Sequence, residues 1–314
     1  MVQSHMSSDN SSSEPTGPML TVVVHARNEE AVLPRTLPCI MDAVRSVGTL
    51  GQTCEVIVVV PKESPFATLP PIRGEGLRWI TTKVPGKYEA LRCGVSHARG
   101  SQLIFVDADV APDLAALSLL WTALQDEEVD AAAGQIVLHR NTPAEQQSVT
   151  HRALEFWTAV NFAAWHRLRQ SRPDLRWALP GAMYALDRQW FPTEGLLVPA
   201  LDDASIGLYM SEKGARISYI PAATVGVLAA SSVPQWYRQK LRVRRGWRLL
   251  KEVRPNQVSA LQAQLSAETD LLCAGSLRAR LMQRADRLMA LIAEHSPLPH
   301  AIRIGSWSPD RRGA

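Results

Sequence analysis

Apolar and polar residues follow two rhythms along this chain. Short, nearly unbroken apolar runs occur at Leu20 to Val24 (LTVVV), Val56 to Val60 (VIVVV) and Leu103 to Val106 (LIFV). They are brief and mostly β-branched, as expected of strands covered on both faces. Between them Leu33, Leu37, Ile40 and Val44 recur at the spacing of one helix face, as do Leu91, Val95 and Ala98. The first helix is expected to open at Asn28 and the Glu29-Glu30 pair, and the second to stop at Arg99-Gly100. The same reading predicts a strand at Leu77 to Ile80, a helix at Leu114 to Leu124 and a strand at Ala131 to Leu138. A long helix follows at Glu145 to Gln170, then a strand at Arg216 to Ile220. Strands alternating with helices from residue 20 to about 220 imply an α/β fold with a doubly wound, mostly parallel sheet flanked by helices. Residues 257 to 295 return to a helical period rich in alanine and leucine, suited to covering a sheet edge or forming a homodimer contact.

Composition changes this picture little. The chain has 314 residues and a formal charge of +4, with much of the excess in one C-terminal stretch, so whole-protein binding to nucleic acid is not expected. Cys39, Cys54, Cys93 and Cys273 are scattered without zinc-ligand spacing and read as reduced thiols. No apolar run approaches membrane-spanning length, and the amino end carries no signal-peptide pattern. Together these point to a cytoplasmic protein. Residues 1–18 are polar and Ser-rich and read as a disordered tail or an expression remnant, and the closing SWSPDRRGA reads as frayed.

The stretch with most chemistry runs from Gly86 to Val110, GKYEALRCGVSHARGSQLIFVDADV. Its strand ends in Asp107-Ala108-Asp109. Two carboxylates one residue apart at a strand's carboxyl end lie where open α/β sheets hold ligands, and hard cations such as Mg²⁺ or Mn²⁺ suit them. An acidic pair there can also be a solvated loop start or a helix cap. Lys87 suits a phosphate equally with a solvated first helical turn. Phe156, Trp157, Phe162 and Trp165 fall at helical spacing, as core residues do, and could also stack on a sugar or apolar acceptor.

The Gly-Lys helix and the VDADV strand together resemble the nucleotide-sugar domain of family 2 glycosyltransferases, the GT-A fold. Further blocks appear in that family's order. His25-Ala26-Arg27-Asn28-Glu29 matches a Pro-x-x-Asn-Glu segment, with His25 in the proline's place. Leu179-Pro180-Gly181-Ala182 matches a Gly-Ala strand, Leu201 to Met210 a Glu-Asp-x-Asp-Leu-Gly helix start, and Gln239 to Val243 a Gln-x-x-Arg-Trp motif. The resemblance implies that Ala26, Arg27 and Glu29 line the nucleotide pocket, with Glu30 solvated. It implies that Asp107 and Asp109 hold the metal on the diphosphate, with Lys87 and Ala108 beside them and Gly181 against the donor sugar. Asp203 takes the catalytic-base position, supported by Asp202, while Ser205 replaces a second aspartate. Gln239 matches the start of the basic motif, and Arg242 and Arg245 are assigned to the diphosphate. Two departures stand out. Pro61-Lys62-Glu63-Ser64-Pro65 replaces the Asp-Asp-Gly-Ser turn that contacts the base, leaving Lys62, Glu63 or a plain exposed turn. Val243 replaces the tryptophan that contacts the growing glycan in polysaccharide synthases, which argues against processive synthesis.

The expected division is a tail over 1–18, the glycosyltransferase domain over 19–232, and a basic, helical extension over 233–314. The implied activity is inverting, non-processive transfer of a sugar, expected to be a hexosyl group, from a nucleotide-diphosphate sugar with Mg²⁺ or Mn²⁺. The acceptor is open: a lipid carrier, a small metabolite or a peptide. Residues 234–254 hold six arginines, two lysines, two tryptophans and a tyrosine, so a basic face resting on the inner face of a membrane is the rival use of that segment. A noncatalytic sugar-nucleotide or membrane-surface binding module is the alternative from another class. The turn HARNEE has neither the Gly-rich basic loop of a sugar nucleotidyltransferase nor the Gly-x-Gly-x-x-Gly of a nicotinamide enzyme.

Overall fold

The backbone and side chains come from a computed structural model that describes residues 20–51, 53–140, 147–196 and 198–295. The Ser-rich tail, the closing SWSPDRRGA and the start of the helix expected from Glu145 lie outside the described residues.

The apolar runs become a parallel block. Strands β1 (Leu20–His25), β2 (Cys54–Pro61), β3 (Leu77–Thr82) and β4 (Gln102–Asp107) run in one direction, in the spatial order β3-β2-β1-β4. Helix α1 (Leu33–Gly48) follows β1, and α2 (Lys87–His97) follows β3. Alternate strand residues face opposite sides of a sheet. Val22 and Val24 accordingly pack with Leu33, Leu37 and Ile40 of α1, while Val23 packs with Leu91 and Val95 of α2. Both faces are dry, which is why these strands carry no polar alternation.

The second half is assembled differently. A short strand β5 (Val110–Pro112) leads to α3 (Ala116–Ala123), β6 (Ala131–His139), α4 (Val149–Ser171), β7 (Met183–Asp187), α5 (Asp202–Glu212) and β8 (Ile217–Leu228). The eight strands among the described residues stand in the order β3-β2-β1-β4-β7-β6-β8-β5. Strand β7 runs antiparallel to both β4 and β6, and β5 runs antiparallel to β8, so four of the seven pairings are parallel. Three helices close the described chain: α6 (Val233–Val253), α7 (Pro255–Cys273) and α8 (Leu277–His295). Leu250 of α6 and Val258 and Leu261 of α7 share a core with Leu168, Trp177 and Leu201, while Trp236 of α6 and Cys273 and Ala279 join Trp157. These helices thus pack against α4 and the Trp177–Leu201 region.

Several boundaries differ from expectation. Helix α1 begins at Leu33 rather than Asn28, because Asn28 adopts a left-handed backbone (φ 59°) that ends any helical run, one an asparagine tolerates. Helix α4 starts at Val149, where the Ser148 hydroxyl accepts from the His151 amide. The strand expected at 216–220 extends through Leu228. Its pairing with β6 shifts between Gly134 and Gln135, leaving Pro221 to Ala223 bulged where a missing proline N–H costs nothing. Strand β5 has too few residues to show in an apolar pattern. All four cysteines are free thiols. No described helix is long and apolar enough to cross a membrane.

Candidate active site

Parallel pairing sets the first part of the site. In the register of β1 against β4, His25 lies opposite Asp107, both at the carboxyl ends of their strands. Only Ala108 and Asp109 separate β4 from β5, and the Thr36 hydroxyl of α1 donates to the Ala108 carbonyl at 2.5 Å. The acidic pair is therefore pinned between two strands and a helix. Because β7 runs against β4, its beginning reaches the same edge: the Asp107 amide donates to the Ala182 carbonyl at 3.0 Å. Gly181 precedes it. A Cβ there would lie 2.5 Å from Oδ2 of Asp203, so a glycine is what lets the first turn of α5 close onto this edge.

Lys87 ties the parts together. Gly86 supplies the positive φ (124°) that turns the chain into α2, and the lysine follows at once. Its Nζ lies 2.8 Å from Oδ1 of Asp107 and 3.5 Å from Oδ2 of Asp202, and donates to the Gly181 carbonyl at 3.3 Å. Burial works against its charge, but Asp107, Asp202 and Asp203 outweigh this and raise its pKa. Burial likewise raises the carboxyls of Asp202 and Asp203, with Lys87 pulling the other way. The His25 imidazole is pushed down to about 3 by burial and then by Lys87, so it is neutral near pH 7. Its Nδ1 is 3.5 Å from Asp107 Oδ1 and makes no hydrogen bond.

The donor chemistry of this edge fits a hard cation of one kind. Among the described residues no three His, Cys, Asp or Glu side chains gather to hold a metal ion. What the edge offers is an Asp-x-Asp carboxylate pair with one member held by a lysine. Mg²⁺ and Mn²⁺ take such a set when phosphate oxygens and water complete the shell. It does not fit a metal caged by protein alone.

These groups open on a cavity of about 610 Å³. Ala26, Arg27, Glu29, Lys87, Asp107, Ala108 and Asp109 line it from the β1, α2 and β4 side. Gly181, Asp202 and Asp203 line it from the approach to β7 and the start of α5, and Gln239 and Arg242 come from α6. Arg245 is not among the lining residues: it lies off the helix face on which Gln239, Arg242, Val243 and Trp247 recur. Lys240 and Arg244 are paired with Asp286 of α8, so they do not extend a basic outer face. In the replaced turn after β2, Glu63 lines the cavity and Lys62 does not. Glu30 is held rather than simply solvated, accepting from the Ser64 hydroxyl at 3.2 Å and tying the loops after β1 and β2 together.

Phe162 and Trp165, which the sequence offers as core or as stacking residues, line the cavity, and His166, Arg169, Tyr219 and Trp247 join them without a signal in the sequence. Trp165, His166 and Arg169 stand with Phe162 on one face of α4, and Tyr219 comes from β8. His166 Nδ1 lies 2.8 Å from the Tyr219 hydroxyl. Arg169 is buried and donates through Nε and Nη2 to the Ala178 carbonyl (3.3 and 2.8 Å); burial brings it down to about 10. The i, i+3, i+4, i+7 spacing from Phe162 marked this face, but nothing in it showed that the face meets a cavity. Trp157, in contrast, is core.

With this geometry described, comparison with known proteins adds a family and a fold. The family profile described as glycosyltransferase like family 2 matches residues 17–246. A glucosyl-3-phosphoglycerate synthase from Mycobacterium tuberculosis, solved with Mn²⁺, uridine diphosphate and phosphoglyceric acid, superposes with a TM-score of 0.51 at 19% identity, over 75% of this chain and 78% of its own. A mannosyltransferase from Pyrobaculum calidifontis, solved with GDP-Man and Mn²⁺, gives 0.52 at 19% identity, over 87% and 81%. At this identity the likeness is one of fold, the GT-A architecture. No curated protein sequence matches the chain.

Proposed function

The chain belongs to the glycosyltransferase like family 2, and from that premise we propose that it is an inverting, non-processive transferase using a nucleotide-diphosphate sugar and a divalent cation. The observation that most supports this is that Asp107, Asp109 and Asp203 line one cavity, with Lys87 in contact with the first and Gly181 making room for the last. The solved neighbours named above carry Mn²⁺ with UDP or GDP-Man.

Asp109 and Asp107 would hold Mg²⁺ or Mn²⁺. Bound there, the cation supplies Lewis-acid stabilisation of charge on the departing nucleotide. Lys87 and Arg242 carry positive charge on the same cavity and are assigned to the diphosphate, and Ala26, Arg27 and Glu29 to the nucleoside. Asp203 receives the acceptor's hydroxyl proton as the acceptor oxygen bonds to the anomeric carbon. The bond from that carbon to the diphosphate oxygen breaks, and the nucleoside diphosphate leaves with the electron pair. Burial raises the basicity of Asp203, the direction a general base needs. One displacement inverts the anomeric centre. Val243, in the place of a glycan-contacting tryptophan, supports release after a single transfer.

The test is a thermal-shift screen of UDP- and GDP-sugars with and without Mn²⁺, since selective binding raises the melting temperature. A metal-dependent shift with at least one donor is expected, followed by transfer or donor hydrolysis. Binding without any turnover would instead favour a noncatalytic sugar-nucleotide module.

A further inference from the structure

The two ends of the cavity differ in chemistry, and the end away from the nucleotide side identifies a class of acceptor. Among the described residues, every carboxylate lining the cavity (Glu29, Glu63, Asp107, Asp109, Asp202, Asp203) stands in the loops after β1 and β2, at the β4–β5 junction or at the start of α5. None comes from α4, β6, β8 or α6. Those elements contribute Ile136, Phe162, Trp165, Val243 and Trp247 beside polar Gln135, His166, Arg169 and Tyr219. Gln239 and Arg242 of α6 also line the cavity, Arg242 within charge interaction of His25 and Asp203. Trp165 and Trp247 lie nearly parallel, with ring centroids 6.4 Å apart and planes at 21°, and Trp177 meets Trp247 edge-on at 6.2 Å.

These rings are fixed in place. Trp177 is buried and anchors Trp247, while Phe162, Trp165 and Trp247 remain only partly covered on a concave wall. Uncovered, rigid aromatic surface in a cleft is what an apolar ligand buries with least loss of side-chain freedom. The polar lining groups of α4, β6 and β8 are Gln135, His166, Arg169 and Tyr219. His166 and Tyr219 pair with each other, and Arg169 turns Nε and Nη2 to the Ala178 carbonyl with its guanidinium 4.8 Å from the Trp165 ring centre. A sugar acceptor presents several hydroxyls to satisfy, and a phosphorylated one needs unspent cationic donors. With His166, Tyr219 and Arg169 paired in this way and Arg242 assigned to the diphosphate, the wall supplies neither set in number.

We infer that the acceptor is an uncharged molecule with a flat apolar ring that carries the nucleophilic hydroxyl, held between the Trp165–Trp247 wall and Asp203. The inference rests on the transferase reading above and narrows it. The ring lies on the tryptophan wall, its hydroxyl gives its proton to Asp203, and its oxygen forms the new glycosidic bond as the nucleoside diphosphate departs. Trp247 stands one helical turn beyond Val243 on the same cavity-lining face of α6.

Calorimetric titration of the full chain with 4-methylumbelliferone, methyl glucoside and 3-phosphoglycerate, each with and without UDP or GDP and Mn²⁺, tests this. The aryl alcohol should bind at least tenfold more tightly than the other two. Trp247→Ala, which removes the wall, and Val243→Trp, which fills the space before it, should each weaken aryl binding tenfold or more relative to any change in nucleotide binding. Two variants of opposite volume guard against one that misfolds. Absence of aryl binding, tighter binding of the glucoside or phosphoglycerate, or unchanged aryl affinity in both variants would overturn the acceptor assignment. Failure of every nucleotide to bind with Mn²⁺ would strike the transferase reading instead, since the aryl titration is also run alone.

Discussion

The β1–β4 block and the α4–α6 wall border one cavity, yet they are built on opposite terms. The first is aliphatic, parallel and dry on both faces, and it delivers chemistry only where its strands end: His25, Asp107 and Asp109. The second is aromatic and helical, and its lining residues come from the sides of helices rather than from their ends. A strand-end residue takes its position from backbone hydrogen bonds shared with neighbouring strands. A residue on a helix side takes its position from packing alone. Charge placement is thus held by the stiffer half, and shape by the half that packing can remodel.

The sharpest way to break this division is at the join. Asp203→Asn keeps size and removes basicity, and should lower transfer by about three orders of magnitude while donor binding persists. Equal loss of donor binding, measured by thermal shift, would make Asp203 part of the rigid donor side. Asp109→Ala comes next: loss of a cation contact worth several kcal/mol should weaken metal-dependent donor binding roughly a hundredfold or more. Normal Mn²⁺ dependence in that variant would remove the acid from the metal's shell. Gly181→Ala places a Cβ 2.5 Å from Asp203 Oδ2 and should displace the carboxylate. A misplacement of about 1 Å costs roughly a hundredfold in rate, so kcat should fall more than donor affinity.

The pH dependence sharpens the same point. Burial raises the Asp203 carboxyl, and the base works only when deprotonated. Transfer should therefore fall as pH drops, with its midpoint above the ordinary aspartate value of about 3.9. A rate flat through that range down to pH 4 would contradict the assignment. The smallest effect expected is on stability. A Cβ at Gly207 would meet the Trp177 carbonyl at 1.9 Å, so Gly207→Ala should destabilise the wall by about 1–3 kcal/mol, read as a lower denaturant midpoint.

The two halves were also unequally legible. Val22, Val24, Val58 and Ile104 announce buried strands by composition, and a parallel sheet brings their ends together whatever the loops do. The strand-end acids were therefore readable from order alone. The contact of Lys87 with both Asp107 and Asp202 was not, because 115 residues separate the lysine from the second acid and only the reversed strand β7 and the start of α5 close that distance. His166, Arg169, Tyr219 and Trp247 stayed hidden for a related reason. Helical spacing identifies a shared face but not what that face meets. Glu30 is held rather than solvated, and the sequence around it gives no sign of this because its partner Ser64 belongs to the next strand's loop. Asn28 concealed the true start of α1 because a left-handed residue leaves no trace in the apolar period.

The reversal of β7 has one more consequence. In a sheet wound in a single direction, each strand can send only its outgoing loop to the working edge. Strand β7 sends its incoming one, the Trp177–Ala182 approach, and does so beside Asp107. That approach can change in length or sequence without disturbing any crossover on which the parallel block depends. Under the proposed function, a change in that approach would alter the cavity lining beside Asp203 while leaving the β1–β4 crossovers intact.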